Sequence, residues 1–241
     1  RGAGVLGGGG VWGWGVVWVF VVVWGGGGVA GGGGGRVAAG LPAALAAAQA
    51  GRPLARIART PRFIIAAAAG VVSFGLMSLV MTAAPLAMVD CGHSVAAAAL
   101  GIQWHVLAMY APSFVTGRLI ERFGKLPVTA LGLALMLAAA GVSLTGLSVP
   151  HFWAVLVLLG VGWNLGFIGA TAMLADCCEP HERLRVQALN DLLVFGCVAA
   201  ASFSSGQLLA HGGWSIVNLT VFPAAAAVLL LLAWQERKAR G

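Results

Sequence analysis

Long apolar runs alternate with short polar connections along most of this chain, from residue 63 to residue 234. Six of the runs are close in length to the ~20 residues that a helix needs to cross about 30 Å of hydrocarbon. They cover residues 63–89, 94–115, 128–147, 152–175, 186–210 and 215–234. The pattern predicts an all-α membrane protein whose fold is a bundle of six transmembrane helices.

The connections between the runs differ in charge in a regular order. Lys and Arg occur before residue 63, after residue 234 and in the connections 117–125 and 176–185. The connections 90–93, 148–151 and 211–214 contain neither. Because cationic loops are retained on the cytoplasmic side of a membrane, we expect a multi-pass protein of the bacterial inner (cell) membrane. Both ends of the six-helix block would lie in the cytoplasm.

The composition agrees with lipid, not water, as the solvent. Hydrophobic residues make up 60% of the chain and charged residues 9%, against roughly 25% charged in soluble domains. The formal net charge of +7 would suit nucleic acid if the cations were grouped on one exposed face, but here they are spread over the connections. We expect these cations to face the anionic leaflet of the lipid bilayer. A nucleic-acid partner is not expected.

The four cysteines predict neither a disulfide framework nor a metal site. The topology would place Cys91 outside the cell, Cys197 in the membrane, and Cys177 and Cys178 in the cytoplasm. The spacing of Cys177 and Cys178 beside Asp176 does not match a tetrahedral zinc site. No metal and no other cofactor is expected.

Four segments follow from changes in composition. Residues 1–35 are a Gly/Val/Trp-rich low-complexity segment, which we interpret as a non-native reading frame from a shifted or misassembled gene start; a seventh, marginal hydrophobic segment is the alternative. Residues 36–62 predict a basic cytoplasmic linker. The six-helix transmembrane domain would cover 63–235, and 236–241 would be a basic cytoplasmic tail.

The connection 117–125 carries the most specific motif. Gly117, Glu121, Arg122, Gly124 and Lys125 follow the order glycine, three residues, acid, Arg, any residue, glycine, Lys or Arg. This resembles the cytoplasmic signature of the major facilitator superfamily (MFS), which more often has Asp at the position of Glu121. A degenerate copy of the signature joins helices eight and nine in that family. The resemblance therefore implies that the six runs are helices seven to twelve, the C-terminal half of an MFS fold.

The segments 101–105 and 162–171 are also similar to bacterial permeases of this superfamily, some of which are riboflavin transporters. The resemblance implies a secondary active transporter of a small organic solute, not an enzyme, that works by alternating access between two six-helix halves. The second half would be a missing N-terminal half or a homodimer partner. The alternatives are a non-transporting membrane scaffold or assembly factor and an inert half-transporter.

The resemblance also implies that charges around the motif hold the cytoplasmic face closed. Arg122 would pair with Asp176 or Glu179. Arg183 lies in the connection 180–185, which resembles the companion loop between helices ten and eleven. The alternative is that these charges only fix the topology and bind lipid headgroups.

Two ionisable residues fall inside the predicted spans, where such groups are costly and are therefore functional candidates. His105 is a candidate for proton coupling because histidine titrates near physiological pH. Its alternative role is that of a neutral side chain donating to a neighbouring helix. Asp191 is a candidate for proton or cation coupling, or it stabilises the positive end of its own helix.

Further substrate candidates share helix faces. Asn164, Phe167 and Thr171 lie on one face of the fourth predicted helix, and Asp191 and Phe195 lie on one face of the fifth. Polar groups beside aromatic walls suit a planar or amphipathic organic solute. For the polar members, hydrogen bonds between helices are the other interpretation.

Overall fold

The computed structural model describes residues 51–240, and all regular structure in that range is helical. The predicted segment 1–35 and most of the linker 36–62 lie outside the described residues. We number the helices of this range in chain order. They are α1 Leu54–Ala58, α2 Pro61–Asp90, α3 Val95–Tyr110, α4 Ser113–Phe123, α5 Lys125–Ser143, α6 Val149–Ala175, α7 Arg183–Leu219 and α8 Val221–Arg240.

The starts of α2 and α3 follow from local capping chemistry. The Thr60 side chain accepts a hydrogen bond from the backbone N–H of Phe63, and Pro61 occupies the first turn of α2, where its missing N–H interrupts nothing. The Ser94 hydroxyl caps α3 by accepting from the backbone N–H of Ala97. Both helices therefore begin within two residues of the predicted runs.

The predicted all-α membrane fold class is confirmed, while the number of spans is confirmed only in part. Four helical stretches are long and apolar enough to cross a membrane: Pro61–Asp90, Lys125–Ser143, Val149–Ala175 and Arg183–Lys238. The pair α3 and α4, bent by 41°, adds a fifth if it forms one span. Six spans stay a prediction, because Arg183–Lys238 is a single apolar stretch of 56 residues.

The second predicted run, 94–115, is not one straight helix. α3 ends at Tyr110 and α4 begins at Ser113. Pro112 lies between them and has no N–H to continue the helical hydrogen-bond ladder. The apolar pattern of this run marks its burial in lipid but does not reveal the bend.

The predicted basic loop 117–125 is mostly helical. α4 continues to Phe123, so Gly117 lies inside that helix. Gly124 alone forms the turn, with a φ of 92° that favours glycine.

The fifth and sixth predicted runs meet at Gly213, where the backbone is not helical. α7 continues to Leu219 across a kink at Gly213, which has a φ of 67°. Pro223 lies in the first turn of α8, which begins at Val221, where a proline breaks no helical hydrogen bond.

The central helix of the bundle is α6, which packs against α2, α3, α4 and α5. Glycines bring its backbone into contact with two of these neighbours. A Cβ on Gly132 of α5 would lie 2.7 Å from the carbonyl oxygen of Gly162 and closer still to the backbone nitrogen of Gly166. A Cβ on Gly160 would lie 2.7 Å from the carbonyl oxygen of His105 in α3. Small residues of α6 therefore allow close helix packing in lipid.

α2 joins the central helix to α7 and α8. The hydroxyl oxygens of Ser78 and Ser202 are 2.7 Å apart between α2 and α7. The Ser205 hydroxyl donates to the carbonyl oxygen of Leu79 at 2.7 Å. Each interhelical hydrogen bond of this kind stabilises a membrane bundle by about 0.6 kcal/mol on average.

Replacing Gly132 with Ala should destabilise the protein, because the added methyl group would collide with the backbone of α6 at Gly162 and Gly166. Overpacking of this kind costs about 1–3 kcal/mol. Gly141→Ala in the same helix is the matched control, since a Cβ at that position has nothing within 4 Å. The free energy of unfolding in mixed micelles measures both effects, and equal stability of the two variants would contradict the close contact.

Candidate functional site

An aromatic cluster occupies the interior of the bundle. It consists of Phe74, Tyr110, Trp163, Phe167 and Phe195, which come from α2, α3, α6 and α7. The rings of Trp163 and Phe167 are stacked, with centroids 5.5 Å apart and 9° between their planes. Phe74 meets these two rings edge-on, at centroid distances of 5.3 and 5.1 Å.

The aromatic cluster has a buried part and an accessible rim. Trp163 and Phe167 are only 3% and 7% exposed. Phe195, whose ring centroid is 6.0 Å from that of Phe74, is 49% exposed. Tyr110 is half-buried, with its ring centroid 6.3 Å from that of Trp163. The rings of this cluster that leave surface for a planar solute are those of Phe195 and Tyr110.

Asn164 spans the break between α3 and α4. Its side-chain Nδ2 donates to the carbonyl oxygen of Met109 and to Ser113 Oγ, each at 2.7 Å. Its Oδ1 accepts from the Thr116 hydroxyl at 2.6 Å. The helical ladder stops at Pro112, so the Met109 carbonyl needs a donor from another helix. The side-chain amide of Asn164 is thus engaged in fastening the bent pair to α6.

His105 is fully buried between α3 and α6. Its Nδ1 lies 2.7 Å from the carbonyl oxygen of Leu156. Because a carbonyl can only accept, Nδ1 carries the proton. Nε2 is buried and has no hydrogen-bond partner in the described part of the chain. This is the geometry of the alternative in which a neutral His105 joins two helices.

Thr171 and Asp191 make their hydrogen bonds within their own helices. The Thr171 hydroxyl donates to the carbonyl oxygen of Phe167 at 2.9 Å. Asp191 is half-buried, and its Oδ1 accepts from Gln187 Nε2 at 2.7 Å. Two of the predicted substrate residues, Phe167 and Phe195, meet in one group because both rings contact that of Phe74.

The motif region contains an ion pair, but with a partner different from the predicted one. Lys125 Nζ lies 2.6 Å from both carboxylate oxygens of Asp176, joining the start of α5 to the end of α6. The guanidinium of Arg122 lies over the Phe123 ring, 5.4 Å from its centroid. The predicted pairing of Arg122 with Asp176 or Glu179 is therefore not formed in this structure.

The other motif residues lie at the same end of the bundle. Gly124 forms the turn before α5, and Gly117 is in α4 with open space around it. Glu121 and Arg183 are exposed. Their gating role stays a prediction.

A second ion pair fastens the end of the linker to the start of α7. Arg52 Nε and Nη2 donate to the two carboxylate oxygens of Glu182, at 2.9 and 2.6 Å. The backbone N–H of Arg52 and that of Glu179 also donate to this carboxylate. Glu182 is only 2% exposed. The hydrogen bonds from the Arg52 side chain, followed by the one from the Glu179 backbone, hold the pKa of Glu182 well below its usual value.

Sequence reasoning did not find the Arg52–Glu182 pair or the contribution of Phe74 and Trp163. Arg52 and Glu182 both fall on the predicted cytoplasmic side, but 130 residues separate them, so nothing local selects one as the partner of the other. Trp163 did carry a signal. It lies in the middle of an apolar run, whereas tryptophans in membrane helices collect near the interfaces.

Replacing Asn164 with Leu should lower the unfolding free energy by about 1–2 kcal/mol, because three interhelical hydrogen bonds of about 0.6 kcal/mol each are lost. Thr171→Val is the matched control, since the Thr171 hydroxyl bonds within its own helix. The Asn164→Leu/Thr116→Val double variant should lose less than the sum of the single effects, because the two side chains share one bond. Strict additivity in unfolding titrations would contradict this arrangement.

The Arg52–Glu182 pair predicts a pH dependence of stability. A carboxylate whose pKa is lowered by folding stabilises the folded state above its unfolded-state pKa, near 4.5, and this contribution is lost as the pH falls toward the lower folded-state pKa. Glu182→Gln should therefore be less stable than the parent near pH 7, with the difference shrinking below about pH 4.5. Melting temperatures across this range measure the difference.

Glu179→Gln is the control for that experiment, because Glu179 is exposed in the same connection. It should change stability little at any pH in the range. A Glu182→Gln deficit that does not diminish in acid would show that the ionised carboxylate is not its cause.

Comparison with known proteins identifies the family. A family model described as Major Facilitator Superfamily matches residues 66–241. The chain is 60% identical over 182 residues to a protein of Brucella anthropi named "Riboflavin transporter RfnT", an alignment that covers 76% of this chain and 46% of that protein.

Two proteins of Bacillus subtilis (strain 168), YddS and YdeG, are named uncharacterized MFS-type transporters. They are 32% and 34% identical to this chain, over 68% and 70% of it and over 38% and 39% of their own lengths. The chain thus spans less than half the length of each of these relatives, and no solved structure matches it. With a family match over most of its length and an all-helical bundle of apolar spans, this chain belongs to the Major Facilitator Superfamily of multi-pass membrane transporters.

Proposed function

We propose that this chain provides the C-terminal six-helix half of a secondary active transporter for riboflavin, or for a solute with a similar planar ring system. The aromatic cluster is the observation that supports this substrate class. In it, a buried Trp163–Phe167 stack is bordered by the accessible rings of Phe195 and Tyr110. A flat heteroaromatic ring gains both buried apolar area and stacking there. The name of the relative at 60% identity supports the same substrate class.

The placement of the helix ends supports two crossings within Arg183–Lys238. Glu182, directly before α7, binds Arg52, which lies nine residues before Pro61 at the start of α2. Lys238, near the end of α8, lines the same cavity as Arg62 at the start of α2. Both ends of this 56-residue stretch therefore lie at one end of the bundle. At about 20 residues per crossing, the stretch leaves that end and returns, which makes six spans.

The charges at that end support alternating access. The Lys125–Asp176 pair and the Arg52–Glu182 pair are formed within this chain. Glu121 and Arg122 are exposed, so they are available to a second six-helix half. In this proposal the end with the basic connections faces the cytoplasm, and contacts of Glu121 and Arg122 with that half close it.

Of the two ionisable candidates in the spans, Asp191 is better placed for proton or cation coupling. It is half-buried and is hydrogen-bonded to Gln187 through Oδ1. His105 is fully buried, and its protonated nitrogen is committed to the Leu156 carbonyl. We therefore propose Asp191, not His105, as the coupling residue.

The proposal predicts uptake of labelled riboflavin into proteoliposomes that contain this chain together with the N-terminal half of the Brucella anthropi relative. The chain alone should be inactive if a second half completes the cavity, and active if two copies assemble. Phe195→Ala should raise the KM about threefold to tenfold, since an aromatic pair contributes about 0.5–1.5 kcal/mol. Phe203→Ala is the matched control, because Phe203 is an exposed phenylalanine of α7 outside the aromatic cluster.

Three outcomes separate the alternatives. No transport by any combination, while the intact relative is active in the same vesicles, would favour the scaffold or the inert half. Transport that excess riboflavin does not inhibit would rule out the substrate class while leaving the transporter intact. Equal KM values for the Phe195→Ala and Phe203→Ala variants would remove the aromatic cluster from the substrate site.

A further inference from the structure

A cavity of about 880 Å³ opens at the end of the bundle that carries the basic connections. It lies among the start of α2, the turn between α4 and α5, the end of α6 and the end of α8. The transport proposal does not use this cavity, since none of the residues of the aromatic cluster lines it. Its charges, one of its buried oxygens and its apolar walls each indicate what it binds.

The cavity carries an excess of positive charge. Arg62, Lys125 and Lys238 line it, and Asp176 is its one carboxylate. Lys125 is occupied by Asp176, at 2.6 Å. Arg62 and Lys238 form no ion pair with any described residue of the chain. Two cations are therefore left for an anionic group such as a phosphate.

A hydrogen-bond acceptor is also left over in this cavity. Gln235 lines it, and the side-chain Oε1 of Gln235 is buried without a hydrogen-bond donor in the described residues. A buried acceptor without a donor is costly. A ligand with a hydroxyl group close to its phosphate would supply the missing donor.

The remaining walls of the cavity include apolar side chains. Ile65, Leu126 and Met173 line the cavity, as does Trp234, which is half-exposed with Lys238 Nζ 5.4 Å from its ring centroid. A tryptophan next to a lysine at a helix end is typical of the headgroup level of a membrane. Acyl chains can follow these apolar side chains, whereas a free phosphate ion would gain nothing from them.

We propose that this cavity binds one phospholipid whose headgroup combines a phosphate with a hydroxyl, as in phosphatidylglycerol. Arg62 and Lys238 bind the phosphate, Gln235 Oε1 accepts from the headgroup hydroxyl, and the acyl chains lie along Ile65, Leu126 and Trp234. Basic pockets between transmembrane helices at the cytoplasmic side suit anionic headgroups. The lipid would join α2, α5 and α8 at the end where Lys125 and Asp176 already join α5 to α6.

Native mass spectrometry of the purified chain, delipidated and then supplied with phosphatidylglycerol or phosphatidylcholine, tests the proposal. The parent protein should retain phosphatidylglycerol in preference to phosphatidylcholine. The Arg62→Gln/Lys238→Gln variant should lose about tenfold or more of that retention, since each cation near an anionic lipid contributes to binding. Arg118→Gln/Arg237→Gln is the matched control, because both arginines are exposed and neither lines the cavity.

A second variant tests the headgroup hydroxyl. Gln235→Leu should retain phosphatidic acid, which has the phosphate without the glycerol hydroxyls, as well as it retains phosphatidylglycerol. The parent should prefer phosphatidylglycerol severalfold. Loss of that preference in Gln235→Leu supports the assigned acceptor, and an unchanged preference overturns it.

The remaining outcomes also decide the question. If both double variants retain the lipid equally, or if phosphatidylcholine binds as well as phosphatidylglycerol does, the proposal is overturned. If inorganic phosphate or glycerol phosphate raises the melting temperature as much as the lipid does, the cavity binds a free anion and not a lipid. The test does not use transport, so its failure would leave the transport proposal standing.

Discussion

Backbone contact along α6 is the interaction on which the rest of the bundle depends. In lipid there is no hydrophobic driving force between helices, so association relies on close packing and on hydrogen bonds across the interface. Glycines of α6 let α5 and α3 approach its backbone. Because α6 also contacts α2 and α4, the positions of the aromatic cluster and of the bent helix pair both follow from these contacts.

The same scarcity of donors in lipid explains the buried polar residues. A backbone carbonyl in hydrocarbon must find a donor inside the protein. Asn164 supplies one to Met109 at the bend, while the Nδ1–H of His105 finds its own acceptor in the Leu156 carbonyl. Sequence reasoning made both residues candidates for substrate or proton binding because polar groups in a membrane are costly. The geometry instead commits their donors to the protein.

The end with the basic connections has a different solvent and a different arrangement. Charges there are close to water, and they fasten segments that are distant in the chain: Lys125 to Asp176 and Arg52 to Glu182. Exposed charges on α4 remain available to a second half, and the basic cavity beside α8 remains available to a lipid. The internal ion pairs and the two proposed binding surfaces therefore lie at the same end of the bundle.

The sequence by itself determined that the apolar runs lie in lipid, that the fold is helical, that basic connections alternate with connections free of Lys and Arg, and which family the chain belongs to. Each of these is a property of composition or of a short motif. The helix starts at Pro61 and Val95 were predictable to within two residues for the same reason. Only the tertiary structure decided that Pro112 bends the second run, that Asp176 pairs with Lys125 and not with Arg122, and that Phe74 joins Phe167 to Phe195. These outcomes depend on which side chains meet across helices. The apolar pattern of the sequence reflects the favourable free energy of placing a segment in lipid, but it does not identify the neighbour that each side chain contacts there.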